Sequence, residues 1–497
     1  MTIHRFVESG RTKVNTTSRR TFLKVAAGAV LVPAIPSVLT CSEPIDLALT
    51  VPSHLPRRLA ICYYGWQWIT TALSDEAFGN LDRAVQETKE RGFNCIRAEM
   101  GLNWMFDSQG NRRGKLKFTS WIPGFSSNLH CVDAKGGGEH DVFDRVIQLF
   151  ETADKHDLYV IMTSWEYQDA ISQLGEPRIR EEILAVPYNE RLMLLGRQYD
   201  RLLRELRKRG LHKRIAQVEI VNELNQPPIF CSVTKAPPQT FDGWVHRKMP
   251  EPSCTTTAVR DLASQAVAYL RSRHPDLLVT VDGLVACTGF EALFPQNAQV
   301  ADHHVYCDGV TQAFWEKCGI AAFRPPSEPP RGDSNPFLKS VLKPNPVGWD
   351  EFVRQAGRVR QDWWGIGWLY ANLDNEKFDR WCVEHFPEYE KRIKQSIDSQ
   401  FECADRFARA RRLPLVVDEG FILYPPLHSH FVTTPEGRRS EELGVDGAIV
   451  TKHWGIMGTG YFRPDTPSWS DAGQCAWING LNKKILASAT PDSHNKS

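Results

Sequence analysis

Two short segments carry residues that could do chemistry together: Val218-Glu219-Ile220-Val221-Asn222-Glu223-Leu224-Asn225 and Leu413-Pro414-Leu415-Val416-Val417-Asp418-Glu419-Gly420. Each is a run of β-formers that ends in a carboxylate. Two carboxylates facing one sugar ring can break a glycosidic bond through an oxocarbenium-like transition state. One, protonated, gives its proton to the leaving oxygen. The other, ionised, attacks the anomeric carbon and is later displaced by water. In the retaining geometry the pair stands about 5–5.5 Å apart. The acid must hold a proton near neutral pH while its partner stays charged, so their surroundings must differ.

Carboxylates at strand tips need a parallel sheet to present them. Eight β-rich runs recur along the chain: Leu59–Tyr64, Asn94–Glu99, Leu158–Thr163, Ala216–Asn222, Leu277–Asp282, Val300–Tyr306, Leu413–Asp418 and Ile456–Phe462. Amphipathic stretches separate most of them. Ser74 is a candidate N-cap for a helix that closes at Gly92. Tyr389, Ile393, Ile397 and Phe401 recur at i, i+4, making one apolar stripe on a helix that leads into the seventh strand. After the fifth strand only Phe290–Phe294 suggests a helix. Strand then helix, repeated eight times, predicts an α/β fold: a TIM (β/α)8 barrel with long loop insertions on its C-terminal face, where such barrels keep their chemistry. The main insertion is residues 307–387, rich in Pro and Gly and then in tryptophan (Trp349, Trp363, Trp364, Trp368, Trp381). A structureless loop of that length does not suit a compact domain, so local structure is expected there. Most of its tryptophans are expected to build a core of their own, not an aromatic wall for sugar.

The first 45 residues are set aside from this fold. Ser18-Arg19-Arg20-Thr21-Phe22-Leu23-Lys24 precedes the apolar stretch Val25 to Leu39 and matches every position of a twin-arginine export signal. The stretch is too short to span a bilayer and contains Pro33 and Pro36. Val38-Leu39-Thr40-Cys41 resembles a lipoprotein cleavage box, although Thr40 departs from the small Gly or Ala usual before the cysteine. A lipid on Cys41 would tether the protein to a membrane surface. The expected product is one domain over residues 46–497, exported to the periplasm, the cell exterior or a lipid anchor. No transmembrane helix is expected in the mature chain. A net charge of +1 over 497 residues sets up no field of one sign, so nucleic acid is not an expected partner. The 15 Trp suit a large core or a sugar cleft, since pyranose faces stack on indoles. The 12 cysteines show no metal-ligand spacing. Cys231/Cys254 and Cys307/Cys318 flank loops and are candidate disulfides in an oxidising compartment. Cys62, Cys95 and Cys287 lie in or beside strand patterns, as buried thiols do.

Over about residues 57–485 the chain resembles glycoside hydrolase clan A, nearest to the cellulase-like family 5. Asn222-Glu223 resembles that family's Asn-Glu pair at the end of strand four, and Glu419 its nucleophile at the end of strand seven. Gly92-Phe93-Asn94-Cys95-Ile96-Arg97 resembles the second strand, and His304-Val305-Tyr306 the His-x-Tyr that ends the sixth. The resemblance implies Glu223 as acid/base and Glu419 as nucleophile. It implies Arg97 beside Glu419, Asn222 on the sugar 2-hydroxyl, Tyr306 as donor to the nucleophile or ring oxygen, and His304 against substrate or Glu223. Three departures stand out. Thr163-Ser164-Trp165-Glu166-Tyr167 lacks the usual His after strand three, Leu224 replaces the usual Pro, and Trp469 comes late for the platform of strand eight. Trp165 and Trp469 are kept as substrate contacts, with the glycone subsite expected to be remodelled.

Strand alternation sorts the neighbours. Asp302, His304 and Tyr306 share one face, while His303 and Val305 share the other. A metal held by Asp302, His303 and His304 would need adjacent residues to converge, so no metal is expected, and no cofactor is implied. Glu219 could point into the barrel, where it would need a partner such as Arg97. Asp418 is expected to point away from Glu419's side. Glu99 and Glu166 are fallback catalytic carboxylates. Gly458-Thr459-Gly460 is too short a glycine signal for a phosphate loop. The leading expectation is an exported retaining β-glycoside hydrolase acting on oligo- or polysaccharide. The alternatives are a non-catalytic sugar-binding surface protein and a transglycosylase.

Overall fold

The computed structural model describes residues 50–118, 138–165, 177–224, 256–282, 294–306, 309–320, 335–356, 364–421 and 425–489. All fall within one compact unit, residues 46–497. The export signal, Cys41, Glu166, Cys231, Cys254, Cys287, Cys307, Trp363 and residues 290–293 of the helix proposed at Phe290–Phe294 lie outside them; Phe294 itself is buried in a bend.

Eight parallel strands build the sheet: β1 (Leu59–Gly65), β2 (Cys95–Glu99), β3 (Tyr159–Thr163), β4 (Ile215–Glu219), β5 (Val279–Thr280), β6 (Ala301–Tyr306), β7 (Leu415–Phe421) and β8 (Gly455–Ile456). Their order is β5-β4-β3-β2-β1-β8-β7-β6. A bridge from Asp282 to Asp302 joins the two ends, with Gln299 N–H donating to the Val279 carbonyl at 3.1 Å. The fold is a (β/α)8 barrel. Each strand matches an expected run, but β5 and β8 are shorter than the stretches Leu277–Asp282 and Ile456–Phe462. Past Ile456 the chain still follows β7, through Met457 N–H to Val417 and Gly460 N–H to Gly420, without regular pairing.

The interior has two storeys. The lower is apolar and draws on every strand: Leu59 and Ile61, Cys95, Ile161, Ala216 and Val416 lie in strands, while Leu278, Val300 and Trp454 immediately precede β5, β6 and β8. Val51 and Leu55 plug it from below. Each such aliphatic side chain contributes about 1.5–3 kcal/mol by leaving water. The upper storey is polar and holds the site.

Among the described residues, seven helices cover the strands: α1 (Leu81–Glu90), α2 (Val142–Lys155), α3 (Tyr188–Lys208), α4 (Thr256–Arg273), α5 (Asn375–Arg411), α6 (Pro435–Val450) and α7 (Ala472–Ala487). Helix α1 starts later than expected. Its cap is Asn80, whose Oδ1 accepts from Arg83 N–H at 3.0 Å, and Ser74 lies in the turns before it. The stripe Ile393, Ile397, Phe401 is buried on α5, as its spacing requires. That helix begins at Asn375, so the insertion ends there and not at residue 387. Its described part forms short helices, Gly309–Cys318, Pro336–Val341, Trp349–Ala356 and Trp364–Asn372. Trp349, Trp368 and Trp381 pack with Phe314, Phe352 and Phe378 in one cluster, a core and not a sugar wall. Cys318 is a buried free thiol, which removes the Cys307/Cys318 disulfide; Cys62 and Cys95 are buried thiols as expected.

His303 faces outward, as alternation required. Its Nε2 lies 2.8 Å from His453 Nε2, and its ring meets Phe401 edge-on. His453 Nδ1 faces the Ala448 carbonyl at 3.2 Å, which assigns it the N–H there and leaves Nε2 to accept from His303. Burial pushes His303 down to about 3 and His453 well below its usual range. Both stay neutral in the fold while the unfolded chain takes up protons below about pH 6.5, so their contribution is complete above that pH and is lost as pH falls. Replacing His453 with Gln should reduce the loss of unfolding free energy between pH 7 and 5 by about 2 kcal/mol, read from urea melts. Identical slopes would contradict the assignment.

Candidate active site

Arg97, from β2, is fully buried at the centre of the upper storey. Its Nη1 donates to Glu419 Oε1 at 2.5 Å and its Nη2 pairs with Glu219 at 3.1 Å. It also bonds Asn222 Oδ1 through Nη2 and contacts Asp418 through Nε. The Trp165 ring closes over the guanidinium at 4.5 Å, with Tyr63 edge-on to the indole. Thr163 Oγ1 donates to Glu219 at 2.6 Å.

His304 stands between the two glutamates. Its Nδ1 is 3.2 Å from Glu223 Oε1 and 3.7 Å from Glu419 Oε2, and its Nε2 is 3.1 Å from Asp282. Tyr306, on the same face, donates its hydroxyl to Glu419 Oε2. One carboxylate oxygen of Glu223 lies within 4.8 Å of one of Glu419. Glu223 stands at φ +52°, in the left-handed region that non-glycine residues enter at a cost of about 1–2 kcal/mol.

The expected set therefore largely converges. Arg97, Asn222, Glu223, His304, Tyr306 and Glu419 meet in one cluster, and Glu219 turns inward onto Arg97. Trp165 reaches the cluster, but as a cover on Arg97 only 3% exposed. Trp469 does not. Its indole N–H donates to Glu87 on α1 at 2.6 Å, and Arg91 stacks on its ring at 4.0 Å, so it offers no open face to a sugar. Glu99 is committed to the backbone, with Gly101 N–H at 2.6 Å on one oxygen and Trp165 N–H on the other.

Asp418 corrects the alternation. His303 pairs with Val417 and His304 with Glu419, so Asp418 is the extra residue of a β-bulge. The bulge turns Asp418 and Glu419 to the same side. Asp282 and the small pocket beside Glu419, lined by Tyr63, Tyr461 and Arg463, were also missed. Asp282 ends a strand-like run, a signal that was available in the sequence.

Six carboxyl groups (Glu219, Glu223, Asp282, Asp302, Asp418, Glu419) surround two cations, Arg97 and His304, so some must take protons. Burial outweighs Arg97 at Glu219 and raises it well above the usual range. Burial likewise raises Asp302, and lifts Asp282 to about 7 against the pull of His304. At Asp418 burial is overcome by Arg97 and His304, which hold it at about 2. Burial alone would lower His304, but Asp282 and Glu419 hold it well above its usual value.

A family model described as "Cellulase-like: Sugar-binding cellulase-like" matches residues 61–486. The chain belongs to this cellulase-like family. The resemblance to clan A read from the strand-end motifs therefore holds. A solved protein from Parabacteroides distasonis, whose assignment as a glycoside hydrolase is itself provisional, is 16% identical. Its TM-score is 0.60, with 88% of this chain and 96% of that one covered. That likeness shows the fold. The endo-1,4-β-D-mannanase of Thermotoga petrophila is 11% identical, with a TM-score of 0.42 over 86% of this chain and 99% of its own. The family 5 mannosidase of Rhizomucor miehei is 11% identical, with a TM-score of 0.42 over 87% and 94%. At those scores neither bears on substrate. No curated protein matches the sequence.

Replacing Arg97 with Met should leave Glu219, Asp418 and Glu419 without their shared cation. The expected cost is about 3–5 kcal/mol of unfolding free energy in a denaturant melt. A loss below about 1 kcal/mol would contradict the central place given to this ion cluster.

Proposed function

We propose that this protein is an exported retaining β-glycosidase acting on oligo- or polysaccharide. The approach of one carboxylate oxygen of Glu223 to within 4.8 Å of one of Glu419 carries the reading. Direct attack needs the two carboxyl groups about 5–5.5 Å apart, whereas an inverting pair leaves about 6.5–9.5 Å for a water. Glu419 attacks the anomeric carbon. Arg97 balances its charge, and Arg97 and Tyr306 fix its two oxygens, so little reorganisation is needed. Glu223 gives its proton to the leaving oxygen as the bond to the aglycone breaks. It then takes a proton from the water that displaces Glu419, restoring both groups. Asn222, turned by Arg97, holds the sugar 2-hydroxyl. Tyr63, Tyr461 and Arg463 border the nucleophile in place of a tryptophan platform, which supports a remodelled glycone subsite.

The second reading is a barrel that binds sugar without turnover, suggested by the family's description as sugar-binding. Two glutamates in attack geometry weigh against it, since binding alone needs no such pair. Glu419→Gln should lower turnover on the order of 10⁴-fold while sugar binding survives. Glu223→Ala should also fail on unactivated substrates, while on a substrate with an activated leaving group azide should restore turnover by attacking the glycosyl-enzyme to give a β-glycosyl azide. Wild-type protein that binds oligosaccharide but releases no product would support the binding reading. A sugar transferred to a second sugar, and not to water, would make the enzyme a transglycosylase.

The N-terminal pattern supports export by the twin-arginine route, with a lipid on Cys41 as the proposed anchor. Arg19→Lys with Arg20→Lys should hold the precursor in the cytoplasm, detected by fractionation. Normal export of that variant would contradict the route.

A further inference from the structure

We infer that Asp282 is a positioning residue for the acid/base: it grips the backbone of Glu223 and orients His304 against its carboxyl, and so aims the proton at the leaving oxygen. The inference rests on the role proposed above for Glu223.

Strand β4 has already ended at Glu219 when the chain reaches Glu223. The segment from Val221 to Leu224 therefore lacks a regular ladder to hold it, and Glu223 sits at φ +52°. Asp282 supplies three bonds to it. Asp282 N–H donates to the Val221 carbonyl at 3.1 Å, and Leu224 N–H donates to the Asp282 carbonyl at 3.1 Å. Glu223 N–H donates to Asp282 Oδ2 at 3.0 Å.

The same Oδ2 lies 3.1 Å from His304 Nε2, while His304 Nδ1 meets Glu223 Oε1 at 3.2 Å. These contacts close a ring from the Glu223 backbone, through Asp282 and His304, to the Glu223 carboxyl. One carboxylate oxygen thus fixes both ends of the residue that must deliver the proton. A displacement of about 1 Å at such a group can cost on the order of 10²-fold in rate. Asp282 is fully buried, so this arrangement does not compete with water. Its two backbone bonds survive truncation of the side chain, and only the Oδ2 bonds are removed in Asp282→Ala. Asn keeps an acceptor in the same place.

Leaving-group dependence tests the proposal, because only proton delivery is sensitive to it. The probes are two β-glycosides of whichever sugar the wild type turns over, one with a dinitrophenyl group and one with an alkyl alcohol. Dinitrophenolate departs without a proton, and kcat/KM reports the glycosylation step alone. Asp282→Ala should lose about 100-fold on the alkyl glycoside and less than about 5-fold on the dinitrophenyl one. Asp282→Asn should recover about tenfold of that loss, with KM little changed. Equal losses on both probes, or no loss on either, would overturn the proposal. If Asp282→Ala does not fold, the Asn variant carries the test: a selective deficit of about tenfold on the alkyl glycoside supports the role, and an unchanged ratio overturns it. Glu223→Ala separates the two layers. If it shows no leaving-group dependence, the acid/base assignment itself fails. If it does and Asp282→Ala does not, only the role of Asp282 fails.

Discussion

A single buried guanidinium organises the mouth of this barrel. Arg97 gives one edge to Asp418, one nitrogen to Glu419 and another to Glu219 and Asn222. Burying a charge is costly unless it is paired and hydrogen-bonded, and a bond removed from one side leaves the opposite charge exposed to the full penalty. The partners therefore cannot relax independently. Strands β2, β4 and β7 are held in register at their C-terminal tips by one cation, above an apolar lower storey contributed from every side of the barrel.

That constraint explains the electrostatic division of labour. Arg97 and His304 can neutralise only some of the carboxyl groups crowded about them. Asp418 draws on both cations and stays ionised, while burial leaves Glu219, Asp282 and Asp302 to bind protons more readily. A network of this kind lets one glutamate serve as acid and another as nucleophile only a few ångströms away. The bulge at Asp418 is part of the same solution, because it brings two consecutive carboxylates to one face and only one of them to the mouth.

Much of this was legible in the sequence because it depends on period and order. Eight β-rich runs, all but the last closed by a polar residue, fix which tips meet, and the period of two separates His304 and Tyr306 from His303. The misses have physical causes. A bulge adds one residue without any mark in composition, so Asp418 was placed on the wrong face. Trp469 follows β8 through an irregular segment, and distance along the chain does not say that its indole will dock on Glu87. Trp165 sits at the expected strand end, yet its ring covers Arg97. Asp282 ends a run whose regular pairing spans only Val279 and Thr280. Its importance comes from the unusual backbone of Glu223, which no residue type announces.

The central claim is that Glu223 and Glu419 act on one anomeric carbon at attack distance. The most direct test is the configuration of the first product released from a β-linked substrate, followed by proton NMR before mutarotation. Appearance of the β-anomer first is the result this geometry predicts. First appearance of the α-anomer would mean that water attacks across the pair, and would contradict the assignment of Glu419 as nucleophile.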